Sequence, residues 1–118
     1  MKSFATALAT GLALAALGGA AHAQGISDDV VKIGVLTDMS SLYADATGKG
    51  SVAAVQMAVE DYGSKVKGKP VEVIYADHQN KPDVGVSIAR NWYDNEKVDA
   101  ILDVPTSSVA LPISALTR

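Results

Sequence analysis

Residues 30–37 read VVKIGVLT, a nearly continuous apolar run that Asp38 follows. Its β-branched side chains are typical of a strand covered on both faces. Two further strand patterns, residues 71–76 and 98–104, are also followed by a polar turn and a helical pattern. Repeated strand, loop and helix units predict a three-layer α/β fold with a parallel sheet. Right-handed crossovers and short connections favour the strand order 2-1-3.

The first helical pattern follows the loop after residues 30–37. Gly50 and Ser51 are expected to start this helix, and Gly63 is expected to end it. Its inward face, set by steps of three and four residues, comprises Val52, Val55, Val59 and Tyr62. The lysine-rich residues 65–70 are interpreted as a solvated connector to the second strand.

The second and third helical patterns contain a proline each. Pro82 lies where the first turn of a helix accepts a missing N–H, and Trp92 with Tyr93 is expected in the core near the other end of that helix. Ser107 or Ser108 is the expected N-cap of the third helix. Pro112 predicts either a kink in this helix or a later start.

Bulk properties exclude several function classes. Residues 1–23 combine Lys2, an apolar stretch and the small-residue site Ala21-His22-Ala23, the pattern of a secretory signal peptide. The chain has a formal net charge of −3, and Lys2 is the one charged residue that cleavage after Ala23 removes. The chain is therefore acidic before and after cleavage, so nucleic acid is not an expected partner. With no cysteine in the sequence, disulfides and thiolate metal sites are excluded, and a lipid anchor lacks its usual attachment point.

The candidate site lies beyond the carboxyl ends of the strands, where parallel sheets place their ligands. Thr106, Ser107 and Ser108 follow the third strand and begin a helix. Their hydroxyls, the unpaired amides and the positive end of the helix dipole suit a carboxylate. Capping alone is the alternative. His78 is the one histidine beyond the signal segment and is interpreted as a hydrogen-bonding loop residue rather than a metal ligand.

Four stretches together resemble the amino-terminal part of type I periplasmic binding proteins, in the branch named for branched-chain amino acids that serves ABC importers. They are KIGVLTDMS (32–40), GKGSVAAVQMAVED (48–61), GKPVEVIYADHQNKPDVGVSIA (68–89) and VDAILDVPTSSVA (98–110). The resemblance covers nearly the whole chain. It implies that residues 24–118 are a partial amino-terminal lobe of a leucine-binding-protein-like domain, because family members are about three times longer.

The resemblance also implies a site and a role. In this family two lobes close on a small ligand, and the matching loops assign carboxylate contacts to Ser107 and Ser108, with Thr106 beside them. Residues 77–82 match a loop that is more often structural. The wall of the site is assigned to Ser40, Ser41, Leu42 and Tyr43. The implied protein is a periplasmic, non-enzymatic solute-binding component with no cofactor or metal, which captures amino acids or organic carboxylates, aromatic ones included, for an importer permease. A truncated lobe is expected to bind weakly by itself.

Two alternatives from other classes stay open at this point. A receptor could use the same fold to sense a ligand without transport. An exported α/β hydrolase-like enzyme would need a base or metal set, yet His78 stands alone and the flanking glycines of a nucleophile elbow are absent around Ser107.

Overall fold

The computed structural model describes residues 28–118, so the predicted signal peptide at 1–23 lies outside the described residues. Strands and helices alternate along most of this part of the chain. The elements are β1 (Val31–Thr37), α1 (Gly48–Tyr62), β2 (Lys65–Val66), β3 (Lys69–Asp77), α2 (Pro82–Asp94), β4 (Ala100–Leu102) and α3 (Ser107–Ala115). No helix within residues 28–118 is long and apolar enough to cross a membrane.

The sheet has the order β2-β3-β1-β4. β1 pairs in parallel with β3 on one side, with Val31 opposite Val71, and with β4 on the other, with Ile33 opposite Ala100. The three predicted strands therefore lie in the predicted order 2-1-3, which is confirmed.

Residues 65–70 contain a turn with exposed Lys65 and Lys67, as the predicted solvated connector requires, but they also form a β-hairpin that was not predicted. β2 pairs antiparallel with β3, with Lys65 opposite Pro70 and Val66 opposite Lys69. Lys67 and Gly68 make the turn, and both have positive φ, 49° and 81°. Such two-residue turns match the twist of paired strands, so this turn lets β2 pair directly with β3.

The main core lies between one sheet face and helices α2 and α3. Alternate strand residues face opposite sides of the sheet. Leu36, Ile74 and Ile101 pack on this side against apolar side chains of the two helices, which are Ala89, Trp92, Val109 and Ile113. α1 lies on the opposite face, so the described chain has the three layers predicted.

The face under α1 is less fully covered. Val52 is buried there, but Tyr62, expected to point inward, is 72% exposed. Tyr75 on β3 and Leu102 on β4 are also exposed, at 53% and 40%. Tyr62 lies on the predicted face, where it lines an apolar groove with Val59 of the helix and Ile33 of the sheet, but it is not buried because it is the last residue of the helix.

Trp92 explains the glycine inside β1. It is 6% exposed, and a Cβ built on Gly34 would lie 2.4 Å from its Cζ3 atom. The indole thus occupies the volume that a side chain at residue 34 would need. The prediction that Trp92 belongs to the core is confirmed, and Tyr93 beside it is partly buried.

Two of the three predicted helix starts, those of α1 and α3, differ from the structure, while the end of α1 and the start of α2 are confirmed. α1 begins at Gly48 rather than at Gly50 or Ser51, because Gly48 already closes the preceding loop onto Thr37. Gly63 ends this helix with φ 99°, and Pro82 begins α2.

The N-cap of α3 is Thr106, not Ser107 or Ser108. The Thr106 carbonyl accepts the amides of Val109 and Ala110, so the helix starts one residue earlier than a serine cap allows. Pro112 lies inside α3 without delaying its start. Proline has no N–H, so the Ser108 carbonyl loses an intrahelical bond there.

Candidate functional site

Two loops leave the carboxyl ends of neighbouring strands and frame the candidate site. The first follows β1 and runs from Asp38 to Thr47, and the second follows β4 and runs from Asp103 to Thr106. Because β1 pairs directly with β4, the two loops leave the same edge of the sheet side by side. The structure therefore places the two predicted groups of site residues, 40–43 and 106–108, at adjacent strand ends.

The second loop presents the start of α3. Ser107 and Ser108 are exposed in its first turn, where amides have no intrahelical acceptor. Thr106 does not cap the helix with its side chain. Within the part of the chain that the structure describes, its buried Oγ1 has no hydrogen-bond partner, and neither has the buried Oδ2 of Asp103. This helix end therefore combines first-turn amides and hydroxyls, which can donate, with one carboxylate oxygen, which can only accept.

The first loop is organised around the fully buried Asp38. One carboxylate oxygen accepts the Ser41 hydroxyl at 2.5 Å and the Tyr43 amide at 2.9 Å. The other accepts the Ser41 amide at 2.9 Å and the Ser40 amide at 3.3 Å. Burial by itself raises the pKa of Asp38, but these hydrogen bonds outweigh it and lower the pKa from 3.8 to about 2. Asp38 is therefore a carboxylate at any pH above this value.

Asp77, at the end of β3, contacts the same loop from the other side. It accepts the Met39 amide at 3.0 Å and the Gln79 amide at 2.7 Å. Burial and the nearby charge of Asp38 raise the pKa of Asp77, yet the hydrogen bonds lower it overall. The sequence interpretation of residues 77–82 as mainly structural agrees with these contacts.

The predicted wall residues differ in what they offer to solvent. The Ser41 hydroxyl donates to Asp38, whereas Leu42 is 78% exposed. Sequence reasoning noted Asp38 at the strand end but gave it no role. The signal was present, because an Asp followed by serines two and three residues later is typical of side chains that accept nearby backbone amides.

His78 follows β3 and is fully buried. Its Nδ1 accepts the Asn80 amide at 2.9 Å, so the interpretation of His78 as a hydrogen-bonding loop residue is confirmed. This contact fixes a tight turn in which Gln79 and Asn80 both have positive φ and the Lys81 amide donates to the His78 carbonyl.

Gly48 closes the first loop, and we expect it to resist substitution. Its amide donates to Thr37 Oγ1 at 3.1 Å, its φ is +53°, and a Cβ there would lie 3.0 Å from the Asp38 carbonyl oxygen. Gly48→Ala is expected to lower the free energy of unfolding by about 1–2 kcal/mol, measured by urea denaturation.

Gly50→Ala is the matched control in the same helix, because a Cβ at Gly50 meets nothing within 4 Å. It should be neutral or stabilising by up to about 1 kcal/mol. Equal effects of the two substitutions would contradict the proposed role of Gly48 in closing the loop.

Comparisons with known proteins agree with this geometry. The family described as Periplasmic binding protein matches residues 30–118. A periplasmic binding protein from Burkholderia mallei has a TM-score of 0.73 and 50% identity, over 75% of this chain and 24% of that one. A branched chain amino acid ABC transporter periplasmic ligand-binding protein from Burkholderia xenovorans LB400 has a TM-score of 0.71 and 60% identity, over 74% and 23%.

A third similar structure is the solute binding protein of an ABC transporter from Rhodopseudomonas palustris BisB5, in complex with 3,4-dihydroxy benzoic acid. Its TM-score is 0.70 at 30% identity, over 76% of this chain and 24% of that one. No curated protein matches the chain. The chain spans about a quarter of the length of these solved relatives.

Proposed function

Since this chain belongs to the periplasmic binding protein family, we propose that it captures a small organic carboxylate or amino acid in the periplasm for an ABC importer. In this proposal residues 1–23 direct export, and residues 24–118 form part of the amino-terminal lobe of the binding protein. The family consists of transport binding proteins rather than enzymes, which leaves the hydrolase interpretation without support.

The observation that carries the proposal is the exposed first turn of α3 at the carboxyl edge of the sheet. Ser107 and Ser108 offer hydroxyls there, and their amides lie among the first-turn donors that the helix itself leaves unpaired. The helix dipole adds about half a positive charge at this end. A ligand carboxylate satisfies these donors, with Thr106 beside them.

The ligands found in similar structures support a carboxylate as the group that the site binds. One similar structure holds 3,4-dihydroxy benzoic acid and another, at 26% identity, holds isoleucine. The two molecules differ in shape and in their amino group, but both carry a carboxylate. We therefore assign the carboxylate to the α3 end of the site and the body of the ligand to the loop 40–43.

One lobe alone is expected to bind weakly. A micromolar complex requires about −8 kcal/mol, whereas each hydrogen bond to a ligand contributes about 1 kcal/mol net. The described residues offer only one side of a cleft, and their exposed donors number a few. Millimolar affinity is the expected range for this chain by itself.

We predict that benzoate shifts the amide resonances of Ser107 and Ser108 in NMR titrations of the purified chain, and that benzyl alcohol does not. The double variant Ser107→Ala with Ser108→Ala should weaken benzoate binding about threefold to tenfold, because two hydroxyl donors are lost while the backbone amides remain. The titration midpoint gives the affinity.

Ser114→Ala, an exposed serine at the other end of α3, is the matched control and should leave the affinity unchanged. Shifts confined to another part of the chain, or equal binding of benzyl alcohol, would contradict the proposed carboxylate site. Micromolar affinity for benzoate would contradict the expected weakness of a single lobe.

A further inference from the structure

The loop 38–47 is held at both ends by hydrogen bonds, and Thr37, Asp38 and Asp77 supply its anchoring acceptors. At its far end, Gly48 donates to Thr37, and the Thr47 hydroxyl donates to the Tyr43 carbonyl at 2.9 Å. At its near end, both carboxylates receive donors from residues 39–43. The loop is therefore fixed in shape before any ligand arrives.

Each serine hydroxyl in this loop has one proton to donate. The Ser41 proton points to Asp38. Only lone pairs of this hydroxyl remain for a ligand. A ligand carboxylate is itself an acceptor, so it gains no hydrogen bond from Ser41 unless the contact to the buried Asp38 is broken, and a charge-assisted bond of this kind is among the stronger ones.

Resting on the proposed function, we infer that Asp38 and Asp77 are positioning residues that fix the shape of the ligand-facing loop. The hydroxyl of Ser41 belongs to this scaffold and does not contact the ligand carboxylate. The exposed Leu42 is the residue with which the loop contacts the apolar body of the ligand.

Electrostatics favour the same division of the site. Two carboxylates, Asp38 and Asp77, lie at the base of the first loop, whereas the loop before α3 has one, Asp103, and the start of α3 carries the positive end of a helix dipole. An anionic group is therefore repelled more strongly from the first end than from the second. The ligand is therefore oriented with its carboxylate on α3 and its apolar part against Leu42.

The first arm of the test needs no ligand and measures amide hydrogen exchange by NMR. Ser41→Ala should speed exchange of the Ser41 and Tyr43 amides by about tenfold, because Asp38 then loses one of the contacts that hold the loop. Amides of β1 should stay unchanged. Ser41→Thr keeps a hydroxyl and should keep the slow exchange. Ser87→Ala removes the hydroxyl of an exposed serine on α2, and it should leave exchange of the Ser41 and Tyr43 amides unchanged.

The second arm measures benzoate affinity in the same variants. Leu42→Ala should weaken benzoate binding about twofold to fivefold with loop exchange unchanged. Met57→Ala, at another exposed apolar residue on α1, should have no effect. If Ser41 donates to the ligand instead, Ser41→Ala weakens benzoate binding while exchange at Tyr43 stays slow, which would overturn the inference.

The two measurements distinguish a failure of the proposed function from a failure of the positioning role. If benzoate does not bind the chain at all, the proposed function fails, and the exchange measurement still decides whether Asp38 and the Ser41 hydroxyl fix the loop. Unchanged exchange in Ser41→Ala overturns the positioning role whatever the affinity. Fast exchange rescued by Ser41→Thr supports it.

Discussion

Trp92→Ala is expected to lower the free energy of unfolding by about 3–5 kcal/mol, the usual range for removing a buried aromatic side chain. Trp92 is 6% exposed and belongs to the apolar cluster that joins α2 and α3 to the sheet. A domain of roughly 90 residues has about 5–13 kcal/mol of stability in total. This one change should therefore remove a large part of the stability and shift the urea midpoint strongly downward, measured by circular dichroism.

The contact with Gly34 makes the prediction specific. Gly34→Ala places a methyl group 2.4 Å from Trp92 Cζ3, and the resulting overpacking should cost about 1–3 kcal/mol or more. In a Trp92→Leu background the same change should cost at least about 1 kcal/mol less, because the smaller side chain leaves room. Equal costs in the two backgrounds would show that the indole does not set the requirement for glycine.

The chain is expected to lose stability as the pH falls from 4 to 2, and Asp38 should account for much of this loss. Its pKa is about 2 in the folded state and has the ordinary value of 3.8 in the unfolded state, so Asp38 takes up a proton when the chain unfolds in this pH window. A carboxyl with a depressed folded pKa stabilises the fold fully above its unfolded pKa, and this contribution disappears as the pH falls through the folded pKa. The difference corresponds to about 2 kcal/mol. The lowered pKa of Asp77 acts in the same direction.

Asp38→Asn is the variant that tests this assignment. An amide side chain offers one acceptor oxygen where four donors converge, so the variant should be less stable at pH 7 by about 2–3 kcal/mol and should show a shallower loss between pH 4 and 2. Urea denaturation followed by Trp92 fluorescence measures the stability at pH 7 and its loss between pH 4 and 2.

Asp45→Asn, at an exposed carboxylate in the same loop, is the control and should keep the acid dependence of the original chain. The same slope in the original chain and in Asp38→Asn would mean that other carboxylates cause the acid sensitivity.

Local patterns in the sequence were sufficient for the main elements and their arrangement. The apolar run at residues 30–37, Gly63 at a helix end and Pro82 at a helix start each act within a few residues of chain. Handedness of the crossovers then restricts the strand order, and the resemblance of the four stretches indicated the family. These predictions succeeded because periodicity, capping and chain direction are short-range properties.

Tertiary structure alone decided which groups meet. A glycine by itself weakens a strand, and only the fold explains Gly34, because Trp92, 58 positions later in the chain, lies across it. Ser41 was predicted to line the wall of the site, but its hydroxyl donates to the buried Asp38. A hydroxyl or a carboxylate has the same local signature whether it faces solvent, a ligand or a buried partner. Its role depends on the direction of one proton in three dimensions, and residues distant in the chain set that direction.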